Sequence, residues 1–249
     1  MISSTEAIVL NKKNFGDTSL ICNLYSKDYG KIAIIAKGAK SLKNPLGAIL
    51  QPMNYIDCVY YYKSKRSIQI IKEASIITKF FDIEKHYLKM NYGLTMIDVI
   101  QNIHYDENPS KIIFRLLKKM LFNLNNYDKK NVFLLYVFFQ LQCLIYLGYC
   151  PAIDKCSQCY QLLHAASFDS NSGQLSCSKC NSNSEENLNK KLLTMINYLM
   201  NTHIDQIIIN LKYEYQDLMK INNFLYKYIL FHVPDIKKSK AFFTLKHEK

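Results

Sequence analysis

The sequence is poor in arginine and lacks the short motifs that mark most enzymes. Arg66 and Arg115 are the only arginines in a lysine-rich chain, and the abundance of Lys, Asn and Ile resembles AT-rich coding. The distribution of charge therefore carries more than its total. No Walker loop, Gly-x-Gly-x-x-Gly or Gly-x-Ser-x-Gly is present, which removes the direct routes to an ATPase, a dinucleotide enzyme or a serine hydrolase. None of the six histidines opens His-x-Glu, and lysine precedes Cys156, so the zinc-deaminase signature is missing too. The carboxylate pairs Asp82/Glu84 and Asp106/Glu107 suit solvated helix ends better than a metal nuclease. Met1–Glu6 has neither the basic cluster nor the apolar core of a secretory signal, and no repeat or long linker interrupts the chain. The strongest apolar run, 132–147, is broken by Gln140 and Gln142 and falls short of the roughly 20 apolar residues of a membrane span. It reads as a buried core helix.

What the chain does have is cysteine. Eight cysteines without a signal segment fit a reducing, cytoplasmic setting, where clustered thiols bind metal in preference to forming disulfides. Cys156-Ser-Gln-Cys159 and Cys177-Ser-Lys-Cys180 are separated by seventeen residues, within the zinc-ribbon range. Two such hairpins complete a four-thiolate shell with every ligand position filled, which points to one structural Zn2+ and away from a catalytic one. Four ordinary thiols or a redox dithiol compete less well, since a thioredoxin-type motif needs one Cys-x-x-Cys at a helix start. Gly148, Pro151 and Asp154 break the apolar run before the first pair. Phe168 and Leu175 offer apolar cover, and Asp169–Gly173 reads as a turn.

Residues 1–79 read as β-structure. Runs rich in Ile, Val and Tyr cover 7–10, 20–25, 32–36, 55–62 and 68–77, with a long loop at 37–52. Five short strands suit a small barrel of the oligonucleotide-binding (OB) type; an SH3-like barrel or an open meander fits the same pattern. From Phe80 the period turns helical. Helices are expected through 81–103, from Pro109 through 112–124, over 131–147, from Ser184 into 188–200, and over 213–231 before Pro234. The tail 237–249 reads as a frayed basic end. The fold class is thus α+β: an N-terminal barrel domain, 1–79, and a helical domain, 80–249, carrying the ribbon at about 150–183.

Charge concentrates in the barrel segment. Residues 1–79 hold twelve Lys or Arg against five acids, so +7 of the chain's +12 lies there. Lys12, Lys13, Lys31, Lys37, Lys40, Lys43, Lys63, Lys65 and Arg66 are the candidate phosphate contacts, with Lys37, Lys40 and Lys43 in a loop rich in small residues. Tyr29, Tyr55 and Tyr60–Tyr62 are candidates for stacking on bases, or for packing the barrel.

Taken in order, Thr5–Leu10, Phe15–Ser19, Tyr29–Lys31, Ala36–Lys40, Leu46–Pro52, Leu147–Pro151, Asp154 and the two cysteine pairs resemble the bacterial recombination mediator family RecO. The resemblance implies an OB barrel followed by a helical body with a zinc ribbon. It implies a non-enzymatic role, cytoplasmic and associated with the nucleoid: binding single- and double-stranded DNA, annealing complementary strands and, with RecR, helping RecA replace single-strand-binding protein. The basic residues named above would then be DNA contacts. Lys118 and Lys119 are candidates for the acidic C-terminal tail of single-strand-binding protein. Two departures stand out: lysines occupy the loop after Gly38 where relatives often place arginines, and Tyr160 follows Cys159 where glycine is usual. A zinc-ribbon protein-interaction or transcription-associated factor is the second reading, an enzyme the third.

Overall fold

The computed structural model describes residues 1–103, 111–181 and 187–244. Asp106, Glu107 and the helix-opening signals at Pro109 and Ser184 lie outside them. The chain divides into two compact units, 1–129 with 239–249, and 130–238.

The first unit is built on five strands, β1 (Ile2–Phe15), β2 (Ser19–Ser26), β3 (Gly30–Ala36), β4 (Tyr55–Tyr61) and β5 (Ile68–Thr78), in a closed barrel of order β1-β2-β3-β5-β4. Closure and the parallel β3–β5 pair separate it from an open meander and give the OB-type barrel. β1 is longer than its apolar core suggests. Ile2–Ile8 pair with β4 and Ala7–Phe15 with β2, and the register shifts between Val9 and Asn11, a bulge that lets one strand serve two neighbours. Its first half escapes detection because the buried positions there are Ser3 and Thr5. The interior is apolar, with Val9, Leu24, Ile34, Leu50, Ile56 and Tyr60 at its centre. Between β3 and β4 the chain folds tightly through α1 (Leu46–Ile49). A Cβ on Gly47 would lie 2.3 Å from the carbonyl oxygen of Ala39, so only glycine permits that approach.

Helices α2 (Phe81–Lys85), α3 (Tyr87–Asn102) and α4 (Lys111–Asn126) belong to the same unit. α4 buries Ile113, Phe114, Leu117, Leu121 and Leu124, one helical stripe. Lys89 of α3 is buried, and its ammonium is satisfied by Asp82 and by the carbonyl of Asn125. Over 237–244 the structure corrects the sequence expectation of a frayed end; residues 245–249 lie outside the described residues. After a 3-10 turn at Pro234–Lys238, helix α9 (Lys240–Thr244) packs with Ser239 and Phe242 buried. Ser239 caps it, its hydroxyl accepting from the Phe242 amide at 3.2 Å and donating to Asp98 at 2.6 Å.

The second unit surrounds α5 (Val132–Tyr146), in which every residue from Leu134 to Leu144 is buried. A helix apolar on all sides sits at the centre of a helical packing, and among the described residues no helix is long and apolar enough to cross a membrane. Its glutamines are accommodated: Gln140 donates to Asn222 at 2.8 Å. Around it lie α6 (Lys190–Asn201), α7 (Ile204–Asn210) and α8 (Tyr215–His232), with β6 (Ala165–Asp169), β7 (Gln174–Ser176) and β8 (Asn187–Asn189) in a small sheet of order β7-β6-β8. α6 starts at Lys190, later than the apolar pattern suggests, because Leu188 is in β8 and the Asn189 side chain caps the helix through the Leu192 amide.

Candidate metal centre and nucleic-acid surface

The ribbon is shaped by two tight turns. Tyr160 donates its amide to the Cys156 carbonyl at 3.0 Å, and Cys180 donates to the Cys177 carbonyl at the same distance, closing one turn around each cysteine pair. The Ser157 amide donates to the Leu175 carbonyl at 3.0 Å, which ties the first turn to β7. Asp169 holds the β6–β7 turn through the Asn171 amide and the Ser172 hydroxyl. Gly173 ends that turn at φ +70°, and a Cβ there would run into the Phe231 ring of α8 at 2.2 Å.

These turns bring the four Sγ atoms of Cys156, Cys159, Cys177 and Cys180 within 4.8 Å of one another. Metal–thiolate bonds of about 2.3 Å in a tetrahedron set sulfurs about 3.8 Å apart, and the Sγ atoms of Cys159 and Cys177 are 3.8 Å apart. The donor set and its spacing therefore fit a tetrahedral ion. Electrostatics assist. Burial opposes ionisation of Cys156, but amides of Cys159, Cys177 and Gln158 point at its sulfur and bring the thiol down to about 6. The Cys180 amide likewise lowers Cys177. Cys180 is pushed up to about 12 by sharing its proton with the neighbouring sulfurs of Cys177 and Cys159, as expected where four thiols crowd one point. Outside this cluster, Cys22 and Cys58 lie in the barrel core, where burial raises them to about 11 and about 12.

Tyr160 adopts φ +59°. The turn keeps the left-handed geometry that suits glycine and imposes it on a tyrosine, at a cost of about 1–2 kcal/mol.

The candidate basic residues fall into two groups and one exception. Lys12 donates to Gln51 at 2.6 Å, Lys40 reaches the Gly16 carbonyl at 3.4 Å, and Lys13, Lys37 and Lys43 are exposed nearby in sequence, so this group gathers around the β1–β2 turn and the 37–51 loop. Lys63, Lys65 and Arg66 occupy the β4–β5 loop, beside the opposite end of β1, where Ile2 pairs with Tyr61. Lys31 is the exception: its ammonium donates to the carbonyls of Gln101 and Ile103 at the end of α3. Tyr55 and Tyr60 are buried, whereas Tyr29, Tyr61 and Tyr62 are exposed. Lys118 is half-buried on Tyr55.

Two family models match the chain, one described as recombination protein O N terminal over residues 1–80 and one as recombination protein O C terminal over residues 84–241. A DNA repair protein RecO of Salinibacter ruber is 33% identical over 154 residues, 62% of this chain and 59% of that protein, so the match spans less than two thirds of its length. The protein of the same name from Exiguobacterium sp. is 27% identical over 82% of this chain and 80% of its own. That of Alkaliphilus metalliredigens is 25% identical over 94% of both.

Proposed function

The chain belongs to the recombination protein O (RecO) family of DNA repair proteins, and from that premise we propose that it is a non-enzymatic recombination mediator. It binds single- and double-stranded DNA through the barrel, anneals complementary strands and, with RecR, assists RecA loading onto DNA covered by single-strand-binding protein. The observation that carries this reading is an OB-type barrel whose exposed loops are basic: Lys37, Lys43, Lys63, Lys65 and Arg66 make no ion pair among the described residues. Annealing brings two polyanions together, and a basic surface lowers their repulsion without reading sequence. No group on the protein has to donate or accept a proton for this. Lysine in the 37–43 loop supplies charge without the bidentate grip of arginine, so binding through it is strongly salt-dependent.

Cys156, Cys159, Cys177 and Cys180 would hold one Zn2+ as a structural staple. The ion supplies folding energy to the ribbon and no open position for chemistry. The acidic tail of single-strand-binding protein is a further partner by charge, though Lys118 already serves Tyr55. The setting is the cytoplasm, at the nucleoid.

The test is annealing of complementary oligonucleotides coated with single-strand-binding protein, across a salt series. Wild type should accelerate annealing, and Lys37→Ala/Lys40→Ala/Lys43→Ala should lose most of that effect. For single strands, three lost phosphate contacts should flatten the slope of log K against log salt by about 2. A folded wild-type protein without effect would transfer the reading to protein interaction alone.

A further inference from the structure

At one end of the barrel the ladder fails to close. The parallel β3–β5 pairing spans Ala33–Ile35 against Ile68–Ile70, so Lys31 and Ile32 leave the seam while the β4–β5 loop stands off from them. The result is a cleft of about 330 Å³ lined by Tyr29, Lys31, Tyr60, Tyr62, Ser67 and Gln69 among others, at the small end of the roughly 300–1,000 Å³ range of ligand sites. Tyr60 forms the floor, 1% exposed. Tyr29 meets it edge-on, with ring centroids 6.3 Å apart at 87°. Tyr29 and Tyr62 line the cleft while remaining 46% and 41% exposed.

Both are held in place by backbone. The Tyr62 amide donates to the Met1 carbonyl at 2.8 Å, and the Tyr29 amide donates to the Ser26 hydroxyl at 3.0 Å. The rim is fixed as well. Gln69 accepts from the Lys63 amide at 2.9 Å and donates to the carbonyls of Lys63 and Arg66, which pins a loop bearing Lys63, Lys65 and Arg66 at the cleft mouth. The ammonium of Lys31 is drawn away to α3, leaving its alkyl stem on the wall.

We infer that this cleft receives one unstacked base of a single-stranded nucleic acid, gripped by the rings of Tyr29 and Tyr62, while Lys63, Lys65 and Arg66 take the flanking phosphates. The inference rests on the nucleic-acid binding proposed above and assigns it a base site. Aromatic rings beside a basic rim are the pairing that single strands select. The Gln69 amide is already committed to the loop. Stacking, which every base can do, dominates, and the site tolerates sequence.

The experiment compares a labelled oligodeoxynucleotide with the same backbone made abasic, by fluorescence anisotropy at low salt. Wild type should prefer the intact strand by about fivefold or more, the effect of at least one stacked base. Tyr29→Leu/Tyr62→Leu should abolish that preference and leave affinity for the abasic strand and its salt slope unchanged; Tyr62→Phe, which keeps a ring, should retain it. Equal melting temperatures establish that the variants are folded. Equal wild-type binding of both strands, or a preference surviving in the double variant, overturns the cleft while leaving DNA binding intact. Binding of neither strand by wild type overturns the cleft and the DNA-binding reading together.

Discussion

Lys118 of α4 donates a 2.8 Å hydrogen bond to the phenol of Tyr55 at the start of β4, and its ammonium lies 4.4 Å from the centre of that ring. The Tyr55 hydroxyl in turn donates to Glu6 of β1, which also accepts from Lys27 at 2.9 Å. A strand of the barrel, its neighbour and a helix packed on them thus share one polar network. The hydrogen bonds from Tyr55 and Lys27 hold the Glu6 carboxyl below its ordinary range. Burial, reinforced by Glu6, raises the Tyr55 phenol.

Tyr55→Phe removes the link and should cost about 1–2 kcal/mol at neutral pH. A carboxyl whose folded pKa is depressed stabilises fully above its unfolded pKa, and that contribution fades as pH falls through the folded value. Wild type should therefore lose stability more steeply on acidification than the variant. Urea denaturation from neutral to acid pH checks both, and parallel curves would refute the network.

Removing a metal held by the four cysteines should melt the ribbon before the barrel. Chelator treatment, or Cys156→Ser or Cys177→Ser, is expected to lower the melting temperature of the second unit and abolish metal content at one ion per chain. Metal analysis with calorimetry is the check. Unchanged melting in both variants would end the structural role of the site.

At Tyr160 the turn and the residue disagree, so Tyr160→Gly should relieve left-handed strain. Freedom gained by the unfolded glycine offsets part of that relief, leaving a net change between zero and about 1 kcal/mol of stabilisation. Tyr160→Val, branched at Cβ, should destabilise by about 1–2 kcal/mol. Denaturant midpoints of the metal-loaded proteins decide, and a valine variant as stable as wild type would be the contrary result.

The four-cysteine cluster was legible because two Cys-x-x-Cys pairs impose their geometry locally; the structure needed only to fold the β6–β7 hairpin to unite them. The barrel was legible where strands alternate apolar and polar, as in β2, and hidden where Ser3 and Thr5 take buried positions in β1. α7 went unread because only Ile204 and Ile207 are buried along it, too short a pattern to announce a period. The tail misled for a related reason. The lysines at 237, 238 and 240 suggest solvent, while Ser239 and Ala241 are held by Asp98, more than a hundred residues earlier. The Tyr29–Tyr62 cleft depends on a ladder that stops after three pairs, and no local pattern encodes where pairing stops.

That tail provides a further expectation. Ser239 is fully buried, and Ser239→Ala removes both a helix cap and the donor to Asp98, leaving the carboxylate with the Ala241 amide and the Asn102 side chain. A loss of about 1–3 kcal/mol should follow, with faster hydrogen exchange along α3 and α9. Exchange confined to α9 would show that the tail rests on α3 without supporting it.

The division of β1 between two partners has a consequence for the order of assembly. Its second half meets β2 across a short turn, but its first half waits for β4, whose Tyr61 is the partner of Ile2. Paired in the order of their synthesis, β1, β2 and β3 would form a meander with two bare flanks, which only β4 and β5, within residues 55–78, close. Until they emerge, both flanks are open to pairing with another chain, so slowing translation between residues 37 and 78 should lower the yield of folded protein more than slowing it in the helices that follow.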